Sequence, residues 1–235
     1  MRALIVGANG GIGAALAQAL AERPAVEQVT ATWCHHQPAW QHDKVRWVRL
    51  DPCDDDAVAQ LAADSGRLDR LINAVGFLHG GGRGPERSIR QVDAGFVADN
   101  VAINTVPTLL LAKHFATALK GDRPTVFAAL SARVGSIGDN RLGGWYSYRL
   151  SKAALNMALK TLAIEWQRSV PGACVAALHP GTTDTALSRP FQRGVPPGKL
   201  FTAHYSAQRL LEVMDRLRPA DTGRFWSWDG SELPW

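Results

Sequence analysis

The chain opens on "RALIV", runs at once into "GANGG", and continues as "IGAALAQALAER": an apolar run, a glycine turn and a helical pattern with no spacer. No other feature narrows the choice of fold as much. Ala3 to Val6 lack the polar alternation of a half-exposed strand, so they imply a strand covered on both faces. Sheets sandwiched between two helix layers bury strands in that way.

The same unit repeats. "EQVTATW", "VRWVRLD", "LDRLINAVG", "RPTVFAALSA" and "GACVAALHPG" read as strands, while "DDAVAQLAADSG" and residues 203–217 read as helices. Residues 93–119 read as one long helix, which Pro107 should bend or break because proline lacks the helical N–H. A second long helix is predicted from Tyr148 to Arg168, and a short last strand near "GRFWSW". This alternation predicts the α/β class, a single domain over 1–235 built on a doubly wound parallel sheet with helices on both faces. Residues 184–202, around "LSRPFQRGVPPGKL", are the expected flexible flap over a pocket.

Composition narrows the function classes. With 46% hydrophobic and 20% charged residues, the 235-residue chain has a globular make-up. It shows no signal-peptide pattern and no apolar run judged long enough to span a bilayer, so a cytoplasmic location without a membrane partner is expected. The net charge of +5 comes from scattered basic residues without a nucleic-acid reader motif, so no nucleic-acid partner is expected. A positive balance suits an anionic, phosphate-bearing cofactor. Cys34, Cys53 and Cys174 fit free thiols in a reducing compartment, and "CHH" at 34–36 lacks the distant cluster that would complete a metal site.

Two clusters carry chemistry. "GANGGIG" sets Gly7, Gly11 and Gly13 between the first strand and the first helix, where glycine lets backbone approach a pyrophosphate and the helix end attracts it. The spacing is G-x-x-x-G-x-G. The second strand ends in "TATWCHH", without the acidic residue that would hold the ribose 2′-OH of NAD and repel a 2′-phosphate. NADP(H) is therefore favoured over NAD(H), with His35 or His36 as available phosphate contacts. Asp51 suits either the adenine amino group or the N-cap of the next helix. "NAVG", Asn73 to Gly76, should close the fourth strand beside the first, at the crevice where such sheets bind ligands.

The second cluster is "GGWYSYRLSKAALN". Tyr148 and Lys152 lie four apart on one helical face, whereas Tyr146 points elsewhere. A phenol with pKa near 10 exchanges a proton at neutral pH only if its anion is stabilised, and a lysine ammonium on the same face does that. The bland alternative is a surface pair. Placement after the fifth strand, behind the polar turn "LSARVGSIG", favours an active site.

"GANGGIG", Asp51, "NAVG", Asn104, "YRLSK" and "HPGTTDT" follow one another in an order that resembles the short-chain dehydrogenase/reductase family over essentially the whole chain. The resemblance implies a Rossmann-type fold and an NAD(P)(H)-dependent oxidoreductase that interconverts a carbonyl and an alcohol on a small-molecule substrate. It implies a homodimer or homotetramer. It makes Tyr148 the catalytic acid/base, Lys152 its tuner and a ribose ligand, and Asn104, rather than Asn100, the support of a relay water. Cofactor contacts are implied for Gly7, Asn9, Gly11, Ile12 and Gly13, for Asp51, for Asn73, Ala74 and Gly76, and for Pro180, Gly181, Thr183 and Thr185. The family's catalytic serine position falls on Ala132; Ser131 precedes it and Ser136 follows, and Ser131 is the expected donor.

A narrower resemblance, in "LSARVGSIGDNRLGGWYSYRLSKAALN" and "GRFWSWDGSELPW", is to the branch of C-factor-like signalling proteins and sniffer-type carbonyl reductases. It leaves an alternative, a dinucleotide-binding signalling protein with little turnover. Trp145 and Tyr146 are expected to wall the pocket. Trp226, Trp228 and Trp235 either join them or cement the last strand. Leu155, Leu159 and Leu162 are read as outer positions that either join the core or serve an oligomer.

Overall fold

The computed structural model describes residues 1–36 and 38–235. The strands are β1 (Arg2–Val6), β2 (Gln28–Trp33), β3 (Val45–Arg49), β4 (Arg70–Asn73), β5 (Thr125–Leu130), β6 (Ala173–His179), β7 (Thr182–Thr183), β8 (Leu200–Phe201), β9 (Arg224–Ser227) and β10 (Glu232–Leu233). The helices are α1 (Gly11–Ala21), α2 (Asp55–Ser65), α3 (Ala94–Asn104), α4 (Val106–Leu119), α5 (Tyr146–Ser169) and α6 (Ala203–Arg216).

One sheet runs in the order β10-β9-β6-β5-β4-β1-β2-β3. Every pairing in it is parallel except β9 with β10. The chain winds outward from β1 to β3, then returns to lay β4 on the other side of β1 and winds the opposite way. The crevice opens where the winding reverses, beyond the carboxyl ends of β1 and β4.

Successive strand residues serve opposite faces. Ile5, Ala128 and Leu178 pack with Leu16, Leu20, Leu210 and Met214 of α1 and α6. Leu4, Val6 and Phe127 pack with Phe115, Leu159 and Trp166 of the opposite layer. Each fully buried Leu or Phe contributes about 1.5–3 kcal/mol, so the uninterrupted apolar runs are what hold both helix layers to the sheet.

Several boundaries differ from expectation. The helix over 93–119 is broken: α3 ends at Asn104, Thr105 turns, and α4 starts with Pro107 in its first turn, where a missing N–H costs nothing. Ala94–Leu119 is nevertheless long and apolar enough by length and composition to cross a membrane, which corrects the reading that no such run exists. Here Phe96, Leu111, Phe115 and Leu119 are buried in the protein. The helix carrying the Tyr/Lys pair begins at Tyr146, two residues early. The two-residue β10 gave no pattern to detect.

The flap is partly built. Its ends are tied by the parallel pair β7–β8, and Arg189–Gly194 form a 3-10 turn within it. Leu155 and Leu159 are core, 1% and 0% exposed, and Leu162 packs against them, so these positions are not the outer face. Of the C-terminal tryptophans, Trp235 cements the last strands by stacking on Phe225 at 5.7 Å, whereas Trp228 packs on Phe201 of β8 at 4.6 Å.

Candidate active site

The turn between β1 and α1 is shaped for an anion. The N-cap, Gly10, offers no side chain, and no acidic residue lies in the first turn, so the N–H groups and positive end of α1 are open. Gly7 has φ +80°, and a Cβ on Gly13 would lie 2.3 Å from the Gly7 carbonyl oxygen. A Cβ on Gly11 would meet the Thr185 side chain at 2.6 Å. These glycines are required by close packing and backbone conformation.

From this turn a pocket of about 390 Å³ runs past Ala74 and Gly76 to Tyr148 and Lys152. A second, of about 360 Å³, lies under the flap. The two share Ile12, Leu78, Ser131, Tyr148, Pro180, Thr185 and Leu187. An anion-accepting helix end and a phenol–lysine pair thus lie along one cleft, which fits an elongated dinucleotide with its reactive ring beside Tyr148.

Tyr148 and Lys152 are 7% and 2% exposed, both on the inward face of α5. Lys152 Nζ donates to the Leu130 carbonyl at 2.9 Å and sits 5.8 Å from the tyrosine ring centroid. Burial pushes the phenol above its ordinary value and brings the ammonium down to about 7. Each shift disfavours the charged form, so burial opposes the tuning that acid/base work requires.

The model of the short chain dehydrogenase family matches residues 1–195. The chain belongs to that family. It is 31% identical over 171 residues to the C-signal of Myxococcus xanthus, covering 73% of this chain and 95% of that protein. Its fold is similar to the carbonyl reductase Sniffer of D. melanogaster, with TM-score 0.87 and 25% identity over 100% of this chain and 99% of that one. A similar likeness holds to an NADPH-bound carbonyl reductase from chicken fatty liver, with TM-score 0.86 and 26% identity over 100% and 94% of the two chains.

The structure of this short-chain dehydrogenase sorts the expected residues. Gly11, Ile12, Gly13, Ala74 and Gly76 line the first pocket. Pro180, Gly181, Thr183 and Thr185 line the second, although the Thr183 hydroxyl is paired with Ser206 at 2.7 Å. Asn9 is exposed, and its amide donates to the His36 carbonyl at 3.5 Å. Asp51 is exposed and accepts from the Cys53 N–H at 3.0 Å, whereas the α2 N-cap is Asp54. Asn73 faces inward: its amide bonds Thr108 at 2.8 Å and the Val75 N–H at 3.0 Å, so it shapes the turn that presents Ala74 and Gly76.

Ser131 lines both pockets with Tyr148, and its hydroxyl donates to Asn156 Oδ1 at 2.6 Å, on the side of α5. Ser136 accepts from the Asp139 N–H at 3.1 Å and lines neither pocket. Ala132, at the family's serine position, puts a methyl group in the second pocket. The Asn104 amide is likewise spent, accepting from the Phe77 N–H at 2.7 Å and donating to the Phe77 carbonyl at 2.8 Å and to Ser151 at 2.9 Å. Asn100 is bonded to the Phe96 carbonyl one turn back.

Trp145 walls the pocket and Tyr146 does not. In its place Phe191, in residues 184–202, meets Trp145 edge to face at 5.2 Å and His79 likewise at 5.7 Å. No local signal marks this trio, because its members come from three separate segments.

Lys152 sets a pH dependence of stability. Below about pH 7 folded and unfolded chains both carry the ammonium, and the folded chain bears its desolvation cost. Between about 7 and the ordinary value of 10.5 the unfolded chain holds the extra proton, so stability rises with pH. In thermal melts without cofactor, Lys152→Met should unfold at a higher temperature than the parent at pH 6. The gap should close towards pH 10.

Proposed function

We propose that this oxidoreductase uses NADP(H) to interconvert an apolar, aromatic-bearing aldehyde or ketone with its alcohol at Tyr148. The observation that carries the reading is the meeting of the two pockets at Tyr148. Trp145, Phe191, Leu187, Val134 and Val195 make the substrate side apolar and partly aromatic. The cofactor supplies or accepts hydride when bound. Tyr148 delivers its phenolic proton to the carbonyl oxygen, or withdraws it in the reverse direction. Lys152, held by Leu130, keeps a donor beside the phenol and would hold the ribose of a bound cofactor. Asn104 acts through Phe77 and Ser151, fixing the pocket wall against α5.

The NADP preference rests on the missing acid at the end of β2 and on Arg49. Sheet pairing sets Arg49 opposite Trp33, with its guanidinium 5.8 Å from the indole. Fluorescence titration should show tighter binding of NADPH than of NADH, with most of the difference removed by Arg49→Ala. Equal affinities would refute the preference.

A signalling role with little turnover draws on Ala132 and on the likeness to the C-signal of Myxococcus xanthus. It is separated by an activity assay with aromatic aldehydes. Turnover should fall at least about 100-fold in Tyr148→Phe, whereas Ala132→Ser should raise kcat by adding a second donor to the carbonyl oxygen, as such donors contribute about 2.7–4 kcal/mol elsewhere. A parent protein as inert as Tyr148→Phe would favour the signalling role.

Leu150, Met157 and Ile164 form an exposed apolar stripe on α5, 52%, 65% and 56% exposed. They support a homodimer through this helix; sedimentation as a single chain would end that proposal. The free thiols Cys34, Cys53 and Cys174 suit a cytoplasmic protein, which cell fractionation can check.

A further inference from the structure

The helix that carries Tyr148 starts from an unfavourable backbone. Its N-cap, Trp145, has φ 53°, the one non-glycine residue with positive φ among the described residues, and its side chain caps nothing. Such conformations persist where the surroundings over-determine them, and they gather at functional sites.

Glu86 supplies the surroundings. Its carbonyl accepts the Trp145 N–H at 2.5 Å. Its carboxylate accepts the backbone N–H of Ser147 at 3.1 Å and also the Ser147 hydroxyl. Glu86 and Ser147 are 3% and 0% exposed, so water does not compete for these bonds. A carboxylate at the N-terminal end of a 24-residue helix is also favoured by the helix dipole.

The same segment grips α5 a second time. Phe77 is clamped through both backbone groups by Asn104, whose amide donates to Ser151 at 2.9 Å. Ser147 and Ser151 lie on either side of Tyr148 in the chain, so residues 77–86 hold the helix just before and just after the phenol. Trp145, fixed by Glu86, places its indole 6.3 Å from the Tyr148 ring and 5.2 Å from Phe191. One buried residue therefore holds both the first turn of α5, through its carboxylate, and the Trp145 wall, through its backbone carbonyl.

We propose that Glu86 is a positioning residue for Tyr148, fixing the first turn of α5 and the Trp145 wall from outside the helix. The proposal rests on the oxidoreductase reading above. Displacement of a reacting group by about 1 Å can cost about 100-fold in rate. Glu86→Ala should accordingly lower kcat for NADPH-dependent reduction of benzaldehyde by about 30- to 100-fold, with NADPH affinity within about twofold of the parent.

Glu86→Gln tests position separately from charge. Its amide oxygen can accept the Ser147 N–H while its NH2 donates to the Ser147 hydroxyl, so kcat should stay within about fivefold of the parent. If Glu86→Ala does not fold, Ser147→Ala keeps the N–H contact and loses the hydroxyl; a fall of about three- to tenfold in kcat at unchanged NADPH affinity is expected. Parent-level kcat in Glu86→Ala, or in Ser147→Ala where that variant stands in, overturns the proposal. So does an equal fall in Glu86→Ala and Glu86→Gln accompanied by weaker NADPH binding. A parent that binds NADPH but turns over no carbonyl sinks the oxidoreductase reading instead, and the proposal with it.

Discussion

The parallel pairing of β1 with β4, Val6 opposite Asn73, places the two halves of the cleft beside each other. It brings the glycine turn after Val6 next to the Ala74–Gly76 turn, and the reversal of winding there leaves nothing above them to fill the space. The next strand outward, β5, pairs with β4 and ends at Leu130, whose carbonyl anchors Lys152. The glycine turn, the Ala74–Gly76 turn and the Tyr148/Lys152 pair are thus brought to one cleft by neighbouring parallel strands. Slipping one strand by one residue would turn its core face outward and misplace the loop that follows.

The site works against the forces that make the rest of the molecule stable. The two core clusters gain from excluding water, and the same exclusion at Tyr148 and Lys152 disfavours both charged forms. A low-dielectric pocket strengthens every interaction that positive charge makes with a developing phenolate, so the cost borne by the folded chain is linked to the chemistry. The polar groups around the pair are committed elsewhere: Asn104 to Phe77, Ser131 to Asn156, Thr183 to Ser206. Tyr148 stands where the two pockets meet, with Lys152 beside it.

Much of this was legible in the chain. The strand runs, the glycine turn and the Tyr148/Lys152 spacing are local patterns with periods of two and 3.6 residues, and local backbone physics suffices to interpret them. Pro107 announced a break because its missing N–H acts within one turn. The errors were of a different kind. Leu155, Leu159 and Leu162 looked like an outer face because a helix sequence does not show which side the sheet covers. The bond from Ser131 to Asn156 was hidden because adjacency to Ala132 says nothing about which way a hydroxyl turns at a strand end.

What the sequence by itself determined is the sheet-and-helix order, the glycine turn and the Tyr148/Lys152 spacing on one helical face, since each is written within a few consecutive residues. Only the tertiary structure decided that Ser131 serves Asn156, that Arg49 stands beside Trp33, and that Phe191, His79 and Trp145 form one wall. It alone placed Glu86 at the head of α5, sixty-one residues before Ser147. These relations join segments far apart in the chain. They exist only once burial of the apolar strands has fixed where each loop ends, and no local periodicity encodes that distance.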